Sequence, residues 1–174
     1  MKRDQTNGKP GQSGATCDRE ALMEHLNSDL AGELQAVCMY IQYSALLRGA
    51  NRKELRELFQ AEIPDEQRHA QLLADKIAVW GGTPHMDPRA VPEAKTAYEM
   101  LQHILEAEEQ AVADYTQRAE EAEACGEIGL KVELENIIVD ETRHKEEVQL
   151  ILSGWEDDSC SGGQHSLHAD AAAD

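Results

Sequence analysis

The stretches "DEQRH" at 65–69 and "DETRH" at 140–144 differ at one position and lie 75 residues apart. The same offset relates "ELQAVCMY" at 33–40 to "EEQAVADY" at 108–115. It also pairs Leu26 with Leu101, Leu30 with Leu105, Gln42 with Gln117, Leu55 with Leu130 and Ile63 with Ile138. A register kept over that span, with no insertion, reads as two copies of one structural unit.

The unit is helical. Between the copied motifs Leu, Ala, Glu and Gln recur in a helical rhythm, and aromatic residues are scarce. Asp18 caps a first helix that runs to about Arg48, and a second runs from about Arg52 to Trp80 and stops at Gly81-Gly82. A third starts near Pro92 or Glu93, since proline suits a first turn, and ends around "EACGE" at 123–127. The fourth continues to Ser153, with Gly154 as its C-cap. Short breaks make each pair of helices an antiparallel hairpin. The middle connection, "GGTPHMDPRAVPE", reaches about 43 Å when extended, close to the roughly 45 Å length of a 30-residue helix. It can return the chain to its starting end. The expected fold is all-α: a four-helix bundle of two antiparallel hairpins, joined by a long crossover and related by a pseudo-two-fold axis. Pro64 falls inside the second helix and predicts a kink or bulge just before Glu66. Residues 18–155 form the single domain, and 1–17 and 156–174 read as disordered tails.

Composition narrows the partners. Asp and Glu total 34 against 16 Lys and Arg, a formal charge of −18. Such a surface repels nucleic-acid phosphates and anionic membranes and attracts cations, so nucleic acid and membrane are not expected partners. No apolar run approaches the ~18 residues that suggest a membrane span, and no signal peptide is evident. Cys17, Cys38, Cys125 and Cys160 are scattered, without CxxC spacing, and suggest no disulfide framework. A reducing cytoplasm is the expected location.

The repeat also selects a site. Glu66 and His69 are three residues apart, about 60° around one helix face, and Glu141 and His144 match them. Glu33 precedes Glu66 by 33 residues, as Glu108 precedes Glu141. Across a hairpin this spacing sets one Glu level with the next helix's Glu-x-x-His pair. Four helices then present four carboxylates and two imidazoles to one volume. Buried carboxylates need compensation, and two divalent cations neutralise four of them. The candidate metal ligands are Glu33, Glu66, His69, Glu108, Glu141 and His144. Glu66 and Glu141 are expected to bridge, and Glu33 and Glu108 to be terminal. Carboxylate oxygen with imidazole nitrogen suits two Fe ions per subunit, and Mn is also compatible. Tyr40 and Tyr115 each lie seven residues after a ligand. They are either core tyrosines bonded to ligand carboxylates or catalytic groups that donate an electron or proton near bound oxygen. Asp65, Asp140, Arg68 and Arg143 flank the ligands as hydrogen-bonding partners or plain salt bridges. His25 and His103 break the repeat and read as surface residues. "HSLH" at 165–168 is a weak further candidate for metal, and Glu62, Glu106 and Glu109 are candidates for guiding iron inward.

On these residues the chain resembles the ferritin superfamily, above all its bacterioferritin and Dps-like ferritin branch, over about residues 20–155. "HAQLLADKIAVWGGTP" is similar to the bacterioferritin segment in which the ligand His opens a helix ending in Gly-x-Pro. The resemblance implies a ferritin-like fold and a ferroxidase that oxidises Fe2+ to Fe3+ with O2 or H2O2 and stores it in a homo-oligomeric cage. Its ligand positions fall on the same six residues, and its redox-active tyrosine on Tyr40. Bacterioferritin carries a haem-ligating Met where this chain has Gln67, so haem is not supported. The segment after the fourth helix does not resemble a fifth helix, which leaves a smaller cage or a dimer in view. Gln110 stands where a Dps-like cysteine would be sought. The same ligands would also serve a rubrerythrin-like peroxidase, a manganese catalase or a di-iron oxidase. A third reading is a structural bundle stabilised by metal.

Overall fold

The computed structural model describes residues 17–161, with side chains described through Trp155. The expectations for the flanking segments, including "HSLH" at 165–168, lie outside the described residues. The described residues form four helices and no strand: α1 (Arg19–Leu46), α2 (Arg52–Val79), α3 (Ala97–Ala124) and α4 (Ile128–Ser161). α1 packs along α2 and α3 along α4, while the two hairpins meet mainly through α1 and α3. This is the all-α bundle of two hairpins and a long crossover that the repeat implies.

Local chemistry sets the helix ends. The Asp18 carboxylate accepts from the Ala21 N–H at 3.0 Å and caps α1. α3 starts later than the proline suggested. Thr96 Oγ1 accepts from the Glu99 N–H at 3.1 Å, and the Glu99 carboxylate accepts from the Thr96 N–H at 3.0 Å. This reciprocal capping box satisfies two otherwise orphaned donors and outweighs the preference of Pro92 for a first turn. The crossover therefore covers residues 80–96. α2 runs unbroken through Pro64, whose ring lies on an exposed face. α4 does not stop at Gly154 but continues to Ser161. Trp155 explains part of this: it packs on the core and its ring centroid lies 6.4 Å from that of Tyr98. That contact offsets the roughly 1 kcal/mol cost of glycine inside a helix.

Two apolar clusters fill the bundle. One contains Leu26, Leu30, Leu73, Ile77, Tyr115 and Leu130. The other contains Tyr40, Tyr43, Leu55, Phe59, Leu101 and Ile104. The repeat pairs divide between them. Leu26 lies in the first and Leu101 in the second, Leu130 in the first and Leu55 in the second, Tyr115 in the first and Tyr40 in the second. A two-fold axis through the middle of the bundle requires this exchange of ends.

One expectation is overturned. Cys17 and Cys125 form a disulfide, with their Cα atoms 4.5 Å apart, tying the start of α1 to the α3–α4 turn. The cysteines are 108 residues apart in sequence, and only the antiparallel stacking of the hairpins brings them together. Disulfides are uncommon in reducing compartments, so cysteine usage no longer argues for the cytoplasm. Cys38 is free and exposed. Among the described residues, no helix is long and apolar enough to cross a membrane.

Closing a loop of this length removes about 4–5 kcal/mol of chain entropy from the unfolded state. Cys125→Ser, or reduction of the native chain, is expected to lower the thermal midpoint by at least about 5 °C. Melting curves with and without dithiothreitol, recorded for both proteins, check this.

Candidate metal centre

Between the two apolar clusters lies one polar layer. Glu33 comes from α1, Glu66 and His69 from α2, Glu108 from α3, and Glu141 and His144 from α4; none is more than 4% exposed. Each Glu-x-x-His pair projects from one helix face because residues three apart are neighbours there. Hairpin pairing sets Glu33 beside the α2 pair and Glu108 beside the α4 pair.

The six side chains gather in two groups. Glu33, Glu66, His69 and Glu141 form one, and Glu66, Glu108, Glu141 and His144 the other; within each, the ligand atoms lie within 4.8 Å of one another. Glu66 and Glu141 belong to both. His69 Nδ1 lies 2.8 Å from Glu141, 3.6 Å from Glu33 and 3.8 Å from Glu66. His144 Nδ1 lies 3.3 Å from Glu141, 3.4 Å from Glu66 and 3.9 Å from Glu108.

These atoms surround a point without bonding to one another. Glu33 Oε2, Glu66 Oε1, both Glu141 oxygens and both Nδ1 atoms are buried with no hydrogen-bond partner. Even the 2.8 Å approach of His69 to Glu141 lies off the axis a hydrogen bond needs. Buried polar atoms are normally satisfied. Six orphans, all from residues of the two groups, fit a pair of cations that would draw the lone pairs inward.

Electrostatics points the same way. Burial first, and then neighbouring carboxylates, push Glu33 and Glu108 well above the ordinary carboxylate range. Burial opposes a charge on His69, but the facing carboxylates of Glu141, Glu33 and Glu66 outweigh it and raise the imidazole to about 12. His144 is raised for the same reasons, chiefly by Glu141 and Glu62 against its burial. Burial also works against ionised Glu141, yet the two imidazoles hold it well below its usual value. Without cations, burial thus favours the protonated forms of Glu33 and Glu108, and the surrounding carboxylates favour protons on the two imidazoles.

Around this layer, the second copy supports the first. Asp140 of α4 lies 3.4 Å from His69 Nε2 on α2, while Glu62 and Asp65 of α2 lie 2.7 and 3.8 Å from His144 Nε2 on α4. Arg68 donates to Asp65 and, across the helices, to Asp140 at 2.8 Å; Arg143 donates to Asp65 at 2.9 Å. Asp140 thus faces the other copy's His69, Glu62 with Asp65 behind it faces His144, and each Arg braces the other copy's Asp, which leaves both Nδ1 atoms facing inward. The tyrosines cross too: Tyr40 donates to Glu108 at 2.6 Å, and Tyr115 donates to Glu33. Burial holds both phenols well above their ordinary range, so each keeps its proton and acts as a donor.

Other residues fall differently. His25 and His103 are half-buried rather than plainly exposed, with His25 Nδ1 2.9 Å from Glu121. Gln67 is exposed on α2, as are Glu106 and Glu109 on α3. Sequence reasoning missed a buried ion pair beside Tyr115: Arg118 donates to Asp29 at 2.9 Å. Burial raises Asp29 to about 6, with Arg118 pulling the other way. The available signal was Arg118 itself, a charge one turn after Tyr115 on a buried stripe that continues with Ala119 and Ala122. Also missed was a cavity of about 200 Å3 between α1 and α3, which includes Glu33, Glu66, Glu108 and Glu141 in its lining.

A family model for the ferritin-like domain matches residues 23–157. The chain is 31% identical over 124 residues to a bacterioferritin of Streptomyces coelicolor, covering 71% of this chain and 74% of that one. Across the curated relatives it matches, it spans as little as 56% of their length. A ferritin-like, diiron-carboxylate protein from Bacillus anthracis superposes with a TM-score of 0.75 at 41% identity, covering 76% of this chain and 96% of that one. A dodecameric thioferritin from Bacteroides fragilis shares the fold, with a TM-score of 0.76 at 23% identity and coverage of 86% and 94%.

Two measurements follow from this geometry. Asp140→Asn is expected to weaken divalent-cation binding by roughly 10- to 100-fold, since it loosens His69 without removing a ligand; calorimetric titration with Co2+ checks this. Cation loading should also release protons at neutral pH, since His69 and His144 can ligate only after giving theirs up. A pH indicator in weakly buffered solution reads the release.

Proposed function

The chain belongs to the ferritin-like family, and from that premise we propose that it is a ferroxidase which binds two Fe2+ per subunit as substrate and oxidises them with O2 or H2O2. The observation that carries the reading is the set of six buried, unpartnered ligand atoms around the two groups. In this reading Glu66 and Glu141 bridge the two ions, Glu33 with His69 and Glu108 with His144 complete the two sides, and haem has no part. Each Fe2+ gives up one electron, and O2 takes up two electrons and two protons to leave as hydrogen peroxide.

The chain's own part is to collect charge and hold geometry. Deprotonated carboxylates compensate the added positive charge as iron goes from +2 to +3. Tyr40 and Tyr115 steady the terminal carboxylates through hydrogen bonds, and they are the nearest proton donors to those oxygens. Asp65, Asp140, Arg68 and Arg143 keep each imidazole in the tautomer whose Nδ1 can ligate. Iron storage and assembly as a cage or dimer belong to the proposal, with the B. fragilis dodecamer as one precedent for a cage. So does a cytoplasmic location, now on family grounds alone.

Glu66→Ala or Glu141→Ala should abolish the rapid phase of Fe2+ oxidation in stopped-flow, a fall of at least about 100-fold, because each removes a ligand from both groups. Unchanged kinetics in both variants would reject the reading. Parallel runs with O2 and H2O2, on iron- and manganese-loaded protein, separate ferroxidase from peroxidase and catalase. A structural bundle would instead retain two ions per chain without turnover.

A further inference from the structure

The polar layer is sealed at both ends of the bundle and covered on the α2–α4 face, and it opens on the α1–α3 face. Along the bundle axis the two apolar clusters seal it. Over the α2–α4 face, the ion pairs among Asp65, Arg68, Asp140 and Arg143 lie across the histidines. On the α1–α3 face is the 200 Å3 cavity. Its buried lining includes Glu33 and Glu66, each 4% exposed or less and each with an unpartnered oxygen. Its outer lining includes Glu106, Asp114 and Arg89.

Arg89 is unusual in position and in sign. The crossover is fastened to α1 by the Arg89 N–H donating to the Ala31 carbonyl at 3.0 Å and by Tyr43 Oη donating to the Pro92 carbonyl at 2.8 Å. The Arg89 guanidinium then lies over Gly32, where an added Cβ would stand 3.4 Å from Nη1. It donates to Ser28 of α1, to the carbonyl at 2.8 Å and Oγ at 3.1 Å, and reaches within 3.7 Å of Asp114 on α3. A cation thus spans an otherwise acidic mouth. Its grip on α3 is one long, partly exposed ion pair, a kind of contact worth little and easily opened.

We propose that the α1–α3 cavity is the path by which divalent cations reach the dinuclear layer, with Asp114 and Glu106 as entry carboxylates and Arg89 as the latch that sets the rate. The proposal rests on the dinuclear reading above but needs no oxidation. An acidic cleft between low-dielectric walls concentrates cations and speeds their capture. A guanidinium paired with Asp114 cancels one of those charges and repels an arriving ion until it swings away. A latch of this kind alters entry and exit together and leaves the bound state alone.

The test is stopped-flow binding of Co2+ to the metal-free full-length chain, followed by cobalt absorption, with Glu66→Ala as the variant that loses the signal. Arg89→Ala should speed association and release alike, by roughly three- to tenfold, while equilibrium affinity and melting temperature stay within twofold and 2 °C or so of the parent. Asp114→Asn with Glu106→Gln should slow association by a similar factor and flatten its dependence on ionic strength. Rates that match the parent in both variants overturn the path while leaving the dinuclear reading intact. Failure of the parent chain to bind Co2+ overturns the dinuclear reading and the path with it.

Discussion

Four carboxylates in the middle of a helical bundle, with almost no access to water, dominate the energetics of this protein. Each isolated charge there would be strongly disfavoured. The chain answers with two imidazoles facing inward, burial that favours the protonated forms of Glu33 and Glu108, and tyrosine hydroxyls donating to those two glutamates. None of these satisfies all the ligand atoms, and six remain orphaned. A layer this costly to fold is a poor device for stability and a good one for binding cations. The rest of the molecule is arranged around keeping it in place.

The two apolar clusters are the first part of that arrangement. They sit above and below the polar layer, so the helices are clamped at both ends while the middle carries the charges. The pseudo-two-fold axis makes the clamps equivalent, each taking one member of the pairs Leu26/Leu101, Leu30/Leu105, Tyr40/Tyr115, Leu55/Leu130 and Ile63/Ile138. It also makes support reciprocal, since each "DExRH" supplies two inward groups for the centre and two flanking groups for its twin. A change at Asp65 or Asp140 therefore acts on a histidine of the opposite hairpin. The disulfide adds a covalent tie at one end only and breaks the symmetry, as does the crossover with Arg89.

Much of this could be read from the residues. The 75-residue offset marks the hairpin as the unit, and the 33-residue step from each lone Glu to its Glu-x-x-His partner picks out the six side chains that meet in the polar layer. Pro92 misled the start of α3 because local propensity lost to the Thr96–Glu99 capping box, whose T-x-x-E signature was present but overlooked. Gly154 misled the end of α4 because tertiary contact at Trp155 carries the helix past it.

What the sequence determined by itself was whatever repeats along one dimension: helix periodicity, the doubled motif, and the charge that must be neutralised if those carboxylates face inward. Tertiary structure alone decided which partners meet across the bundle. The Cys17–Cys125 bond joins residues 108 apart, Arg118 finds Asp29 on another helix, and Arg89 settles over Gly32. None of these has a copy at the 75-residue offset. Their meeting depends on how two hairpins dock and where a strap falls between them, which is set by packing in three dimensions and leaves no period in the chain.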